Sequence, residues 1–395
     1  MLALAAIACA ASTSAIAAGP AALESNLANA LTAPSLSLAR TAALAVDLSS
    51  GAVVFAHNES IPMAPASNEK IPVSWAALSR LGVGYRFHTE VYGVGTRAGA
   101  TWEGDLVLRG FGDPTLSQVD LEGMAATIRG RGIRAVSGRI LGDESFYDTK
   151  RGAAGWKQPF VGGESPPLSA LIVDRAQGWP ALSPPLLAAR ALREALVRQG
   201  ITVAGRPGLG VAPGTAISLA SDTSDPLARI VLRMNHESDN FYAEMLLKQL
   251  LAATGKVGTS AGGGKLVVAT MREAGIPVEG VRLLDGSGLS SLDRLTAEAL
   301  VGVIRTGAAD PTIRAAFVGS LAVAGLSGTM SERLPALRGQ VKGKTGTTNL
   351  ACTLSGLIRG TLAFAVLENG SPVSTWASRA AQDRFVTILA SKPVG

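Results

Sequence analysis

The sequence is poor in the residues that most often bind transition metals or form disulfides. Its 395 residues include only two cysteines and three histidines, and these do not form a cluster with metal-ligand spacing. Cys9 lies in an N-terminal segment that we expect to be removed, which would leave Cys352 as the single cysteine of the mature protein. We therefore expect no intrachain disulfide and no metal site.

Runs of charge and long apolar runs are also missing. The net charge is +6, but no basic run exceeds a dipeptide and no ladder of aromatic residues accompanies the charge, so we expect no nucleic-acid binding. Beyond the N-terminus, no segment has the unbroken apolar length of a membrane span. Apolar residues make up 47% of the chain, which argues against disorder and favours α/β or α+β packing.

The N-terminal segment resembles a secretory signal peptide. Residues 2–10 are apolar, the first charged residue is Glu24, and Ala15-Ile16-Ala17 offers a small-residue cleavage pattern. We predict a signal peptide over residues 1–17, although the usual positive charge near the start is missing, which suggests a truncated or misplaced start. A disordered alanine-rich tail is the alternative. Cys9 as a lipid anchor is disfavoured because Leu is absent three residues before it.

The chain is longer than one typical domain, and its middle differs from its two ends. The pattern over residues 83–222 is of short β-like runs separated by glycine, with one helical stretch at 184–200. The flanking parts show a hairpin, helices and a final three-stranded segment, at residues 41–56, 71–81, 240–254, 341–369 and 374–390. The sequence therefore predicts a domain built from residues 18–84 and 223–395 and split by an inserted β-rich domain at 85–222.

Three short motifs stand in one order along the chain. They are Ser67-Asn68-Glu69-Lys70, Ser238-Asp239-Asn240 and Lys344-Thr345-Gly346. A Ser-x-x-Lys pattern alone should occur about once by chance in a chain of this length. All three motifs in this order indicate one acyl-transfer site.

Each motif has a catalytic and a structural interpretation. Ser67 and Lys70 would share one helix face, where the amine can activate the hydroxyl as a nucleophile; a capping serine and a solvated lysine are the alternative. Ser238 could relay a proton and Asn240 could bind Lys70 or a substrate amide, but both also suit the start of a helix.

The third motif is predicted to lie on an edge strand. Lys344 could bind a substrate carboxylate, Thr345 and Thr347 could add hydrogen bonds, and Gly346 would let a ligand approach the backbone. A phosphate-binding loop is excluded because it needs glycine at position 338, which is Arg338.

A Ser-His-Asp triad is not indicated, since no Gly-x-Ser-x-Gly elbow is present. His236 lies two residues before Ser238, and we predict that it is a structural loop residue rather than a base.

With these residues in hand, the chain resembles the class C low-molecular-mass penicillin-binding proteins, the D-alanyl-D-alanine carboxypeptidases/endopeptidases of peptidase family S13. The resemblance covers most of residues 40–370. Besides the three motifs, it rests on stretches similar to that family's signatures, at residues 65–68, 85–87, 112–114, 142–143, 238–244, 285–290 and 325–329.

The resemblance implies an α+β fold, with an antiparallel sheet flanked by helices and split by the inserted domain. Ser67 would attack the D-Ala-D-Ala bond, Lys70 would accept its proton and Ser238 would protonate the leaving D-alanine. Lys344 and Thr345 would bind the terminal carboxylate, and backbone N–H groups of Ser67 and Thr347 would form the oxyanion hole. β-Lactams would acylate the same serine, and no metal or organic cofactor is implied.

Three features depart from the family pattern. The interval of 171 residues from Ser67 to Ser238 is short, so a further domain nested in the insertion should be absent or reduced. Pro72 predicts an irregular first turn in the helix that carries Lys70. Residues 162–167 (GGESPP) and Asp174 replace a Tyr-Gly-Ala-Pro-like run and an asparagine, so substrate contacts from the insertion should differ.

The function expected from these residues is a secreted or periplasmic serine DD-peptidase of the cell envelope. Its partners would be peptidoglycan stem peptides and, as covalent inhibitors, β-lactams; the oligomeric state stays open. A β-lactamase is one alternative, but those with Ser-Asp-Asn usually have a shorter interval between the first two motifs and a dedicated deacylating glutamate. A catalytically silent protein that binds cell wall is the other, and the intact three motifs count against it.

Overall fold

The computed structural model describes residues 20–392, so the predicted signal peptide and Cys9 lie outside the described residues. The helices, numbered along the chain, are α1 Pro20–Ala30, α2 Lys70–Leu81, α3 Gln118–Gly130, α4 Phe160–Gly163, α5 Pro184–Arg198, α6 Leu227–Glu237, α7 Asn240–Ala252, α8 Ser260–Glu273, α9 Ala297–Ala309, α10 Arg314–Gly319 and α11 Thr375–Ala390. Of the helices in residues 20–392, none combines the length and the apolar character that crossing a membrane requires.

The two ends of the chain build one six-stranded antiparallel sheet in the order β10-β11-β12-β13-β1-β2. Because the first two strands pair with the last four, residues far apart in sequence share this sheet. Its strands are β1 Thr41–Asp47, β2 Val53–His57, β10 Ala322–Val323, β11 Val341–Thr347, β12 Ala351–Ile358 and β13 Leu362–Asn369.

Helices cover both faces of this sheet. Leu44 and Val46 of β1 pack into the core formed with α2, α7 and α9. Ala43 and Ala45, which point to the opposite face, pack with α1 and α11. Since both faces are buried, β1 needs no polar side, which explains the weak alternation of its sequence.

Residues 88–223 contain a second sheet with its own core. Strand order is β7-β5-β4-β3-β9, with β6 beside β4 and β8 beside β6; β4 runs parallel to β5 and β6. The strands are β3 His88–Ala98, β4 Thr101–Gly110, β5 Ala135–Val136, β6 Ile140–Asp143, β7 Thr202–Val203, β8 Gly208–Leu209 and β9 Ile217–Thr223.

The expectation of a single helical stretch in this middle region was wrong, because α3 packs beside α5 on the second sheet. The buried residues of α3 are Leu121, Met124, Ala125 and Ile128, at the spacing of one helix face. The same spacing is visible in the sequence, but the frequent glycines of this region favour an interpretation as short strands.

The chain enters and leaves the second sheet at one place. The N–H of Leu227 donates to the carbonyl of Tyr85 at 2.7 Å, and the N–H of Ala228 donates to the carbonyl of Val83 at 3.1 Å. These two bonds connect the segment that enters the second sheet, after α2, with the segment that leaves it, at the start of α6. The domain limits at 84/85 and 222/223 remain a prediction.

The helix α11 offers a test of how the first sheet is stabilised. Phe385 is fully buried and contacts Phe55 edge-to-face, with ring centroids 5.4 Å apart. We expect Phe385→Ala to lower the free energy of unfolding by about 3–5 kcal/mol, because it leaves a cavity. Trp376→Ala, on the same helix but 82% exposed, should change it by less than about 0.5 kcal/mol. Denaturant unfolding monitored by circular dichroism would measure both, and equal losses would contradict this packing.

Candidate active site

The first motif lies where a tight turn meets a helix. Ser67 is in a 3-10 turn, Ala66–Glu69, and Lys70 begins α2. The irregular turn thus precedes α2, whereas the prediction from Pro72 placed it in the first turn of the helix itself. Pro72 is compatible with α2 because the N–H groups of a first helical turn have no intrahelical partner. Ser67 is half-buried and Lys70 is fully buried.

Buried hydrogen bonds fix this turn on the first sheet. Asn68 Nδ2 donates to Thr353 Oγ1 at 2.6 Å, Thr353 Oγ1 donates to the carbonyl of Pro65 at 2.9 Å, and Ser355 Oγ donates to Asn68 Oδ1. Thr353 and Ser355 both belong to β12. The position of Ser67 is thus set by the sheet, which sequence reasoning missed because β12 carries no motif.

The Lys70 amine has three hydrogen-bond acceptors. Its Nζ lies 2.9 Å from Ser67 Oγ, 2.8 Å from Asn240 Oδ1 and 2.8 Å from the carbonyl oxygen of Ser287. Three acceptors match the three donors of an ammonium group. Burial lowers the pKa of Lys70 to about 8, against the opposing effect of Asp285 and other nearby carboxyl groups. Such a lysine changes protonation state near neutral pH.

The second motif joins two helices. Ser238 ends α6 in a left-handed conformation, with φ of 58°, and Asp239 caps α7 by accepting the N–H of Tyr242 at 3.0 Å. Asn240 is the first residue of α7, and its Nδ2 donates to the carbonyl of Glu164 at 3.0 Å. The middle region of the chain therefore contributes directly to this site.

Two expectations around this motif need correction. After the predicted insertion, the first predicted element is the helix at 240–254, but α6 already spans Leu227–Glu237. His236 consequently lies in a helix rather than a loop, and its Nε2 is 3.2 Å from Ser327 Oγ. The helix α6 was not predicted, although its buried residues Leu227, Ile230, Val231 and Met234 lie at helical spacing.

The third motif lies on β11, next to the second. Lys344 is fully buried, and its Nζ donates to Ser238 Oγ at 2.8 Å and to the carbonyl of Thr345 at 2.7 Å. Burial and, secondarily, the charge of Lys70 hold the pKa of Lys344 well below its usual range. Thr345 Oγ1 donates to Thr329 Oγ1 at 2.8 Å. In the described chain β10 pairs only with residues 342–343, so residues 344–347 form an edge, as predicted.

Gly346 is required by the closeness of β11 to the turn. A Cβ atom at this position would lie 2.8 Å from the backbone nitrogen of Ser67 and 2.4 Å from Thr353 Oγ1. The sequence predicted that glycine allows a ligand to approach. The structure adds that the strand also approaches the turn that carries Ser67.

All eight predicted site residues come together around one cleft. Its volume is about 330 Å³, and Ser67, Ser238, Thr345, Gly346 and Thr347 line it. Lys70, Asn240 and Lys344 contact these residues through the hydrogen bonds given above. Sequence reasoning missed two arginines in the wall, Arg333 and Arg379, because isolated arginines carry no motif.

A group of buried carboxyl groups lies beside Lys70. Glu69, Asp285 and Asp293 have carboxyl oxygens within 4.8 Å of one another, the spacing of a metal site. Asp285, however, already accepts four hydrogen bonds at 2.7–3.0 Å, from Trp156 Nε1, Ser287 Oγ and the N–H groups of Gly288 and Ser290. These four donors already satisfy the oxygens of Asp285, which disfavours a cation at this group.

Burial raises the pKa of both neighbours of Asp285. The pKa of Asp293 is raised to about 9, and that of Glu69 is raised well above its usual range; in both, nearby carboxyl groups add to the effect. Glu244, also buried, has its pKa raised to about 8 and accepts the N–H groups of Gly286 and Ser287 at 2.8 and 2.9 Å. Together, these buried carboxyl groups hold residues 285–290 in place. This segment includes the Ser287 carbonyl that Lys70 contacts.

Two curated carboxypeptidases match most of the chain. A D-alanyl-D-alanine carboxypeptidase from Actinomadura sp. (strain R39) is 29% identical over 445 residues, which cover 90% of this chain and 82% of the relative. Carboxypeptidase DacB from Mycolicibacterium smegmatis is 31% identical, covering 93% and 84%. The 445 matched positions exceed the 395 residues of the chain, so the Actinomadura protein has extra residues inside the matched region.

Solved structures with the same fold include penicillin-binding protein 4 from Haemophilus influenzae, with a TM-score of 0.80, 21% identity and coverage of 93% of this chain and 99% of that one. A penicillin G-acylated predatory endopeptidase from Bdellovibrio bacteriovorus has a TM-score of 0.56 at 17% identity, covering 88% and 90%. The expected α+β penicillin-binding-protein fold is confirmed.

The model of the D-Ala-D-Ala carboxypeptidase 3 (S13) family matches residues 23–186 and 180–392. These two segments span almost all the residues that the structure describes. The chain therefore belongs to the S13 family of D-Ala-D-Ala carboxypeptidases, which are serine peptidases.

Proposed function

We propose that this protein is secreted and removes the terminal D-alanine from peptidoglycan stem peptides through an acyl-enzyme on Ser67, and that β-lactams acylate the same residue. The observation that carries the proposal is a pair of buried lysines on one cleft. Lys70 contacts the Ser67 hydroxyl, and Lys344 contacts the Ser238 hydroxyl. The apolar N-terminal segment supports secretion to the cell envelope.

The first step uses Lys70 as a general base. When Lys70 is neutral, two N–H groups can still donate to Asn240 and Ser287, and its lone pair can accept the Ser67 proton. Ser67 Oγ then bonds to the carbonyl carbon of the substrate. The negative charge that develops on the carbonyl oxygen would be stabilised by the N–H groups of Ser67 and Thr347; the close approach of Gly346 to Ser67 supports this placement.

Loss of the terminal residue requires a proton for the leaving amine. Ser238 is suited to deliver it, because its hydroxyl can donate to the amine while being replenished from Lys344, 2.8 Å away. The bond between the carbonyl carbon and the D-alanine nitrogen breaks, and the acyl group stays on Ser67. Water then releases the shortened peptide and restores the hydroxyl.

The same end of the cleft is suited to the terminal carboxylate. Lys344 and Arg379 can donate to a carboxylate there, and Thr345 adds a hydroxyl group. Arg333 lines the same wall but is paired with Asp383, and the wall also includes Glu332. Burial of Lys344 without a carboxylate partner among the described residues is costly. A bound substrate carboxylate would provide that partner, which favours substrates that end in a free carboxylate. Endopeptidase activity would use the same steps with a cross-linked amine as the leaving group.

Acylation by penicillin tests the nucleophile. We expect labelled penicillin to form a 1:1 covalent adduct whose mass spectrum maps to Ser67, and Ser67→Ala to abolish it. Ser331→Ala is a matched control, because Ser331 lines the same cleft but contacts no lysine amine in residues 20–392. Labelling that survives in Ser67→Ala would remove Ser67 as the nucleophile.

Turnover tests the enzymatic part of the proposal. We expect the wild-type protein to release D-alanine from a stem pentapeptide, and Lys70→Met to slow release at least about 100-fold, in the range typical for loss of a general base. D-alanine would be quantified by an amino-acid oxidase assay. Penicillin labelling without any D-alanine release would instead favour a cell-wall binding protein.

The acylation rate should depend on pH through Lys70. The neutral amine is the active form and the pKa of Lys70 is about 8, so the rate should rise about tenfold per pH unit below that value and level off above it. Stopped-flow measurement of penicillin acylation from pH 6 to pH 9.5 would record the profile. A rate that falls over this interval would contradict a lysine base.

The buried carboxyl groups should make stability depend on pH. Asp293 has a pKa raised to about 9, so between about pH 5 and pH 9 the folded protein binds a proton that the unfolded chain has lost, and stability falls as pH rises. Asp293→Asn mimics the protonated acid and should reduce this slope by up to about 1.4 kcal/mol per pH unit.

The matched control for this experiment is Asp310→Asn, because Asp310 is only partly buried and hydrogen bonds from Thr312 lower its pKa. Its carboxyl group is ionised above pH 5 in both states, so this variant should keep the wild-type slope. Urea unfolding at pH 5, 7 and 9 measures all three proteins. Parallel pH dependence of Asp293→Asn and wild type would show that Asp293 is ionised in the folded protein.

A further inference from the structure

A second, larger cavity lies apart from the Ser67 cleft. Its volume is about 870 Å³, and it is bounded by residues 148–158, Trp179-Pro180, the first turn of α8 and Leu284. Ligand sites in proteins commonly enclose about 300–1,000 Å³ and combine apolar walls with a few polar groups. The cavity is thus large enough for a ligand bigger than a dipeptide.

The cavity wall carries uncompensated positive charge. Asp148 pairs with Lys248, and Arg151 pairs with Glu144. The two other lysines of the wall, Lys150 and Lys157, contact no acidic side chain in residues 20–392. A carboxylate is therefore the charged group that the cavity is suited to bind.

Two indole rings give the cavity flat apolar surfaces. Trp156 and Trp179 both line it, together with Gln158 and Ser260. Indoles beside amide and hydroxyl groups suit a ligand with apolar ring faces and polar edges. Sugar rings have this character, whereas a purely aliphatic ligand would leave the polar groups without partners.

A groove lies between the large cavity and the Ser67 cleft, because it shares Lys157 with the cavity and Thr347 with the cleft. Its volume is about 330 Å³, and it is lined by Ala66 and Thr347, which flank Ser67, and by Lys157. The terminal carboxylate would occupy the opposite side of Ser67, near Thr345, so the acyl part of a bound strand would leave along this groove.

We propose that the large cavity binds the glycan-proximal end of the peptidoglycan strand being cleaved: amino-sugar rings against Trp156 and Trp179, and an acidic group of the strand beside Lys150 and Lys157. This inference rests on the proposed function and names the part of the substrate beyond the scissile dipeptide. Four extended residues between the scissile bond and the sugar would span about 13 Å.

The test compares two substrates that differ only in the sugar. A free stem pentapeptide fills the cleft and groove, whereas a disaccharide pentapeptide also reaches the cavity. We expect wild-type kcat/KM to be about tenfold higher for the disaccharide form, and Lys150→Glu to reduce this ratio at least about fivefold. Lys265→Glu is the matched control, because Lys265 is exposed on α8 and outside the cavity lining.

A wild-type ratio near one, or an equal ratio in Lys150→Glu and wild type, would overturn the inference. Equal loss for both substrates in Lys150→Glu would overturn it too, since it would indicate a structural effect. Should D-alanine release be absent altogether, the proposed function fails. Titration of tryptophan fluorescence with the disaccharide tetrapeptide, compared with the tetrapeptide alone and the disaccharide alone, then tests the cavity separately.

Discussion

The interaction on which this site depends is the burial of the Lys70 amine. An ammonium group removed from water is very costly unless every proton has an acceptor. Here the acceptors come from three segments: Ser67, Asn240, which is 170 residues away, and Ser287, which is 217 residues away. The requirement to satisfy one amine therefore joins α2, α7 and residues 285–290, and it brings Ser67 and Asn240 together at the same time.

The surroundings of Lys70 balance two opposing effects on its pKa. Burial favours the neutral amine, whereas Asp285 and Glu244 favour the ammonium. Burial alone would leave the amine neutral and a poor partner for Asn240 and Ser287, and the acids alone would keep it charged and unable to accept a proton. The result is a pKa of about 8, so Lys70 can be an ordered hydrogen-bond donor when charged and a proton acceptor when neutral.

The sequence indicated which residues come together in the cleft, because they occur in three contiguous motifs with fixed spacing. It predicted the hairpin, α2, α7, α11 and the strands β11 to β13 for a similar reason, since each has a clear period and a turn at its end. What it missed depends on pairing between distant residues. The Asn68–Thr353 bond and the Glu69–Asp293 contact join segments whose proximity no local pattern encodes.

The failures at α3 and α6 have a related physical cause. Both helices show apolar residues at helical spacing, but glycine-rich or polar neighbours surround them. Their helical state is stabilised mainly by burying one face against the rest of the fold, a tertiary effect that outweighs local preference. In both segments the local composition favours non-helical structure, although the spacing of the apolar residues favours a helix.

The middle region contributes three contacts to the candidate active site. The Glu164 carbonyl accepts from Asn240, Arg175 pairs with Asp239, and Trp156 donates to Asp285. The first contact uses a backbone atom, so the side chains at residues 162–167 can differ from the usual family run while Asn240 keeps its orientation.

The other two contacts use side chains, and each fixes a segment that itself binds one of the lysines. Asp239 lies between Ser238, which contacts Lys344, and Asn240, which contacts Lys70. Asp285 fixes the loop that presents Ser287 to Lys70. A strand bound along residues 148–164 would therefore contact elements that position Lys70. Recognition of the polymer and orientation of the catalytic groups would then share one set of contacts.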